Sequence, residues 1–141
     1  MSGDDRRLGL TRVAFGCSAA GQIPGRQRRW LTTLADGRSV MPLSTARGPK
    51  RAEELVGGSL FWIIKHTLVA RQQIIGLDTS GTRAIIHLDP AVIQVAATPR
   101  HSHQGWRYLE PADAPPDLDE GDDRAELPPG LAAKLAALRL I

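Results

Sequence analysis

Apolar and polar positions alternate from Leu8 to Phe15, which predicts a strand with Val13 and Phe15 on one face. Gly16-Cys17-Ser18 ends it, and Pro24-Gly25 is a break. Arg26 to Asp36, closed by Gly37, reads as a helix with Trp30, Leu31 and Leu34 as its apolar stripe. Val40 to Thr45 is a strand that Pro42 confines to an edge or a bulge. Pro49 opens a two-turn helix over Lys50 to Val56, which is stable only if Ala52, Leu55 and Val56 dock, and Gly57-Gly58 terminates it. Ser59 to Lys65 is continuously apolar and is expected to be covered on both faces. Leu68 to Leu77 is a strand with an unusual polar centre, Arg71-Gln72-Gln73. A type I turn at Asp78–Gly81 leads back through Thr82 to Leu88, with Ala84, Ile86 and Leu88 facing one way and Arg83, Ile85 and His87 the other. Short strands follow at Ala91–Ala96 and Trp106–Leu109. These elements predict an α+β fold: a small curled, mainly antiparallel sheet or open barrel with two or three short helices.

After Leu109 the pattern changes. Pro111, Pro115 and Pro116 mark an extended stretch, and Asp117 to Asp123 is acidic without apolar anchors. Leu131, Leu135 and Leu138 recur at helical spacing. The expected organisation is a single domain over residues 1–118, an acidic linker over 119–130 and a short amphipathic helix over 131–141.

Length and composition agree with a globular chain. It has 141 residues, 42% hydrophobic and 23% charged. The lone cysteine, Cys17, excludes an internal disulfide and a thiolate-rich metal site and points to a reducing compartment. No apolar run is long enough to span a bilayer. The start is acidic where a signal peptide is basic, and Ser2 stands where myristoylation needs Gly. A cytoplasmic protein away from membranes is expected. The net charge of +3 divides into +8 over residues 1–109 and −5 over residues 110–141, so the body suits an anionic partner.

Candidate chemistry lies in that basic body. Arg26, Arg28 and Arg29 stand at the positive end of the first expected helix and Asp36 at its negative end, an arrangement that an anion would compensate. Arg47, Lys50 and Arg51 surround the start of the second. Arg100 to Tyr108 interleaves arginines, histidines and aromatics around Gly105, a composition suited to base stacking and phosphate contact. Trp106 and Tyr108, two apart on a strand, equally suit a core. Arg71, Gln72 and Gln73 need partners if buried, and Lys65 stands near them in sequence. His101 and His103 lack a nearby cysteine, and further ligands would have to come from His66, His87 or distant carboxylates, so no metal is expected. No nucleophile elbow, Walker or Rossmann pattern occurs.

The phrases Pro49-Lys50-Arg51-Ala52-Glu53-Glu54-Leu55, Gly57 to Lys65, Arg71-Gln72, Leu88-Asp89-Pro90, Gln104 to Leu109 and Asp113 to Leu118 carry a resemblance. Over about residues 8–118 the chain resembles the proteobacterial family known as domain of unknown function 1489. His66 stands where the family pattern has Gly, and Phe61 where it has Tyr. The tail beyond Leu118 falls outside the pattern as read from these phrases. A weaker likeness, in the order of a short helix, a Gly-Gly turn and strands with an internal polar pair, runs to the small PUA/ASCH barrels. That likeness implies binding of RNA or modified bases.

The function expected is a small basic binding module for RNA or a nucleotide-like anion, without cofactor or activity of its own. Its contacts are expected at Lys50, Arg51, Lys65, Arg71, Arg100, Trp106 and Arg107. One alternative is a small-molecule enzyme with a pocket in the barrel mouth, His66 or His87 as general base and Arg71 as anion clamp. Another is a protein–protein interaction module that recruits a partner through the C-terminal helix.

Overall fold

The computed structural model describes residues 7–118 except 80 and 82. The expected linker at 119–130 and helix at 131–141 lie outside the described residues. The described chain is mostly strand: β1 (Gly9–Val13), β2 (Thr32–Thr33), β3 (Ser39–Thr45), β4 (Ser59–Ile64), β5 (Thr67–Asp78), β6 (Ala84–Leu88), β7 (Ile93–Pro99) and β8 (Trp106–Leu109). Helix is scarce: α1 (Ile23–Gln27), α2 (Ala52–Leu55) and short 3-10 turns.

The strands form one mixed sheet in the order β2-β3-β6-β5-β4-β1-β8, with β7 on β5 beside that path. Every pairing is antiparallel except β1 with β4. β2 and β8 end the path without meeting, so the sheet is unclosed. β5 is the spine. Its first half pairs with β4 on one edge and β7 on the other, and its second half pairs with β6. Register shifts beside Ala70 and Gly76 bend it, which lets one strand serve three partners.

β4 is buried at all six positions, as its unbroken apolar sequence requires. Leu60, Trp62 and Ile64 join the larger core with Leu10, Ile74, Ile86 and Leu88. Phe61 and Ile63 join a second core with Leu68, Val95 and Leu109 on the opposite face. On β6, Ala84, Ile86 and Leu88 are buried and Ile85 and His87 half-buried, the alternation expected from the sequence. Pro42 sits where only one edge of β3 is paired, because β2 reaches no further than Val40.

Three elements depart from expectation. The helix over Arg26 to Asp36 does not form. α1 ends at Gln27, a 3-10 turn covers Arg28–Trp30, and the chain then extends into β2. The apolar stripe has no core to face, since Trp30 and Leu31 are exposed. β-branched Thr32 and Thr33 pair with β3, and a turn closes the pair where Gly37 adopts φ +88 and Asp36 Oδ1 accepts from the Arg38 amide. The anion site expected at that helix start therefore has no helix behind it. The second helix is a single turn, with Leu55 buried, Ala52 half-buried and Val56 exposed. β1 stops at Val13, so Phe15 lies beyond the strand and faces solvent.

Candidate functional site

Two chain segments far apart in sequence meet at the edge strand β8. Trp106 and Tyr108 share the face of β8 that looks onto the larger core, because Trp106 registers with Arg12 and Tyr108 with Leu10. The loop after β3 folds over them. Trp106 Nε1 donates to the Arg47 carbonyl at 2.8 Å, and Thr45 Oγ1 donates to the same oxygen at 2.9 Å. The Arg51 amide donates to the Tyr108 hydroxyl at 3.0 Å. The result is a cleft of about 520 Å³ lined by Arg47, Gly48, Lys50, Arg51, Trp106, Arg107 and Tyr108.

Guanidinium groups lie over both rings. Arg47 Cζ is 4.5 Å from the Trp106 centroid and Arg51 Cζ 5.6 Å from that of Tyr108. The two rings meet edge to face at 5.0 Å. Arg51 binds both nearby carboxylates, Glu54 at 2.7 Å and Glu110 at 3.1 Å. The hydrogen bonds that Arg51 donates to these carboxylates raise its pKa, and the bond to Glu54 lowers the pKa of Glu54. All three side chains are exposed, so these pairs organise the rim more than they stabilise the fold. With both carboxylates engaged, Arg47, Lys50 and Arg107 have no acidic partner among the described residues.

The structure thus brings together four of the seven expected contact residues: Lys50, Arg51, Trp106 and Arg107. Trp106 is only 6% exposed, so it supports the loop and Arg47 rather than offering an open ring. Arg107 lines the cleft from the strand edge while its side chain alternates to the face of Leu109. The other three lie elsewhere. Lys65 is exposed at the tip of the β4–β5 hairpin. Arg100 follows β7, its amide bonded to the His66 carbonyl at 2.9 Å and its Nη2 reaching the Tyr108 carbonyl at 3.4 Å. Arg71 registers with Phe61 on the opposite face of the sheet and grips Asp117 through two bonds of 2.7 and 2.8 Å. Its neighbour Gln72 points into the larger core and is fully hydrogen-bonded there, while Gln73 is exposed.

Arg47 and Tyr108 were absent from the expected contact set. Both lay next to chosen residues in the same basic and aromatic phrases, but nothing local showed that the two phrases meet. His66 and His101 meet edge to face with ring centroids 6.0 Å apart, and His103 Nε2 lies 2.7 Å from Thr11 Oγ1. His66 Nδ1 accepts from the Ser102 amide at 3.0 Å, and His87 Nδ1 is buried without a hydrogen-bond partner. Neither forms an ion pair with a carboxylate among the described residues. In the same residues no group of three or more His, Cys, Asp or Glu is placed to hold a metal. No described helix is long and apolar enough to cross a membrane.

An unclosed mixed sheet with a basic, aromatic-backed cleft on its edge defines the class of molecule by structure. By sequence, the family model described as Protein of unknown function (DUF1489) matches residues 10–141, and the chain belongs to that family. The match runs to the last residue, so the tail beyond Leu118 belongs to the family pattern, contrary to the narrower span that the quoted phrases suggested. No curated protein and no solved structure matches the chain, and the likeness to PUA/ASCH barrels is not confirmed.

Proposed function

We propose that this protein is a small basic binding module that holds RNA or a nucleotide-like anion in the cleft between the β3–α2 loop and β8. The observation that carries the reading is the convergence of Arg47 and Lys50 on one cleft, with Arg107 on its edge strand, beside the carboxylates of Glu54 and Glu110 that Arg51 engages. Cations without an acidic partner among the described residues, beside a concave surface, suit phosphate. Arg47, held over Trp106, sits where a phosphate oxygen or a base face reaches it. The reading requires no cofactor and no reaction. The single cysteine supports a cytoplasmic setting.

The test is a titration of labelled single-stranded RNA at several salt concentrations. Binding should weaken steeply with salt, because each neutralised phosphate releases counter-ions. Arg47→Ala, Lys50→Ala and Arg107→Ala should each weaken binding to every sequence alike and flatten the salt slope by about one unit. Wild-type affinity weaker than about 100 μM at low salt rejects the reading, since non-specific electrostatic binders reach about that range.

A further inference from the structure

A second cleft, of about 210 Å³, opens between β1, the α1 turn and β3. Its bed is apolar, with Trp62, Ile23 and Met41 buried beneath it. Phe15 and Trp30 stand on its walls at 70% and 57% exposure, two of the four large apolar side chains left open to solvent among the described residues. Exposed aromatic rings flanking one concavity are uncommon on a surface with nothing to bind.

The cleft also holds cations without counter-ions. Arg12 is half-buried on the face of β1 shared by Trp62 and Trp106, its partners in register. Its guanidinium has no hydrogen bond or ion pair among the described residues. Burial and the nearby Arg83 both press against its charge. Arg26, on the same rim, donates Nη2 to the Gly16 carbonyl at 2.7 Å and has no acidic partner among the described residues. No Asp or Glu among the described residues lines the cleft. A half-buried cation in this setting is stabilised by an incoming anion, because the described residues of the site supply none.

We propose that this cleft binds a small planar anion, a single aromatic or heteroaromatic ring carrying a phosphate or carboxylate, with the ring against Trp30 and Phe15 and the anionic group on Arg12. The volume fits one ring and its anionic group rather than a larger ligand. The site is separate from the basic cleft and does not depend on the function proposed for it. The ring can belong to a free small molecule or to one nucleotide of a strand.

The test is calorimetric titration of the full chain with phenyl phosphate, benzoate, inorganic phosphate and a short single-stranded RNA. A ring-bearing probe should bind more tightly than phosphate alone. Arg12→Gln and Trp30→Ala should each weaken that binding about tenfold or more, from loss of the charged contact and of stacking. Trp30 is exposed, so its variant also guards against misfolding as the explanation. Lys50→Ala, in the other cleft, should leave benzoate binding, which involves no phosphate, unaffected. Bound ligand should also slow alkylation of Cys17, which lines this cleft. Binding of a monomeric probe that depends on Arg12 identifies a free ligand. Dependence on Arg12 and Trp30 seen only with RNA identifies a nucleotide within a strand. The proposal is overturned if no probe binds, if phosphate alone binds as well as the ring compounds, or if binding ignores both variants. Binding lost in Lys50→Ala but kept in Arg12→Gln overturns it too, while leaving the basic-cleft reading intact.

Discussion

Gln72 and Gln27 exchange amide hydrogen bonds across the core, each Nε2 donating to the other's Oε1 at 2.7 and 2.8 Å. Gln72 Oε1 also accepts from Trp62 Nε1 at 2.8 Å, and its Nε2 donates to the Asp89 carbonyl at 2.9 Å. Trp62 can only donate, which fixes the orientation of both amides. Every donor and acceptor of the Gln72 amide is used, which is why a wholly buried glutamine is tolerated. Gln72→Leu keeps the volume but strands its partners, and should cost about 2–4 kcal/mol. Gln27→Leu with Gln72→Leu should cost less than the two single changes together, by about 1 kcal/mol or more. Urea midpoints of the four proteins measure this; additive costs would show that the amides are satisfied independently.

The two-sided burial of β4 gives a second expectation. Trp62 belongs to one core and Ile63 to the other. Trp62→Ala and Ile63→Ala should therefore each cost about 2–5 kcal/mol in denaturant unfolding. A near-neutral result for either would mean that its face of the strand is open.

At the far end of the same strand, Lys65 and His66 form the two-residue turn into β5 with φ of 50° and 60°. A turn with positive φ at both central residues favours Asn-Gly, and bulky side chains there are strained. His66 is compensated by the Ser102 amide. Lys65→Asn should raise stability by about 0.5–1 kcal/mol, read as a higher midpoint with an unchanged denaturant slope. Gly at position 66 is the residue this geometry prefers.

These elements show what local sequence made legible. The burial of β4, the alternation on β6 and the edge position of Pro42 follow from periodicity and from the chemistry of one residue. The helix expected over Arg26 to Asp36 failed because three apolar residues at helical spacing do not define a helix when no core faces them. Thr32 and Thr33 pair with β3 instead. The basic cleft was half legible. Its two phrases were visible, but their meeting depends on Trp106 reaching the Arg47 carbonyl, 59 residues away. The Arg12 cleft was not singled out, although Arg12 shares the parity of buried Leu10 and so had to point at the core face. Arg71 could not be assigned to a face without the register that places it opposite Phe61.

His103 supplies a pH dependence. Burial lowers its pKa below the ordinary 6.5, Arg107 and Arg100 lower it further, and the Gln104 and Gly105 backbone only partly offsets this. The native ring therefore stays neutral over a range where the unfolded chain takes up a proton. Stability should be unaffected above the ordinary histidine value and should fall as the pH drops through it. His103→Gln should flatten that decline, measured as the change in urea midpoint between about pH 7.5 and about pH 5.5. An equal decline in both proteins would assign it to other groups.

Asp117 ties the end of the described chain to the sheet. Its carboxylate takes Arg71 Nε at 2.7 Å and Nη2 at 2.8 Å, while Arg71 Nη1 donates to Ser59 Oγ at 2.9 Å. The segment around it pairs with β7: the Ala96 amide donates to the Pro116 carbonyl at 2.8 Å, and the Leu118 amide to the Gln94 carbonyl at 3.0 Å. A two-point pair on a half-buried arginine is stronger than an ordinary surface ion pair, yet Asp117 itself is exposed, so its contribution should be about 1 kcal/mol. Asp117→Asn should then speed hydrogen exchange at the Ala96 and Leu118 amides by about fivefold. Amides in β4 should not change, because the loss is local. Unchanged exchange at Ala96 would show that the backbone pairing holds the segment without the ion pair. Faster exchange throughout the sheet would show instead that Arg71 and Asp117 stabilise the whole fold.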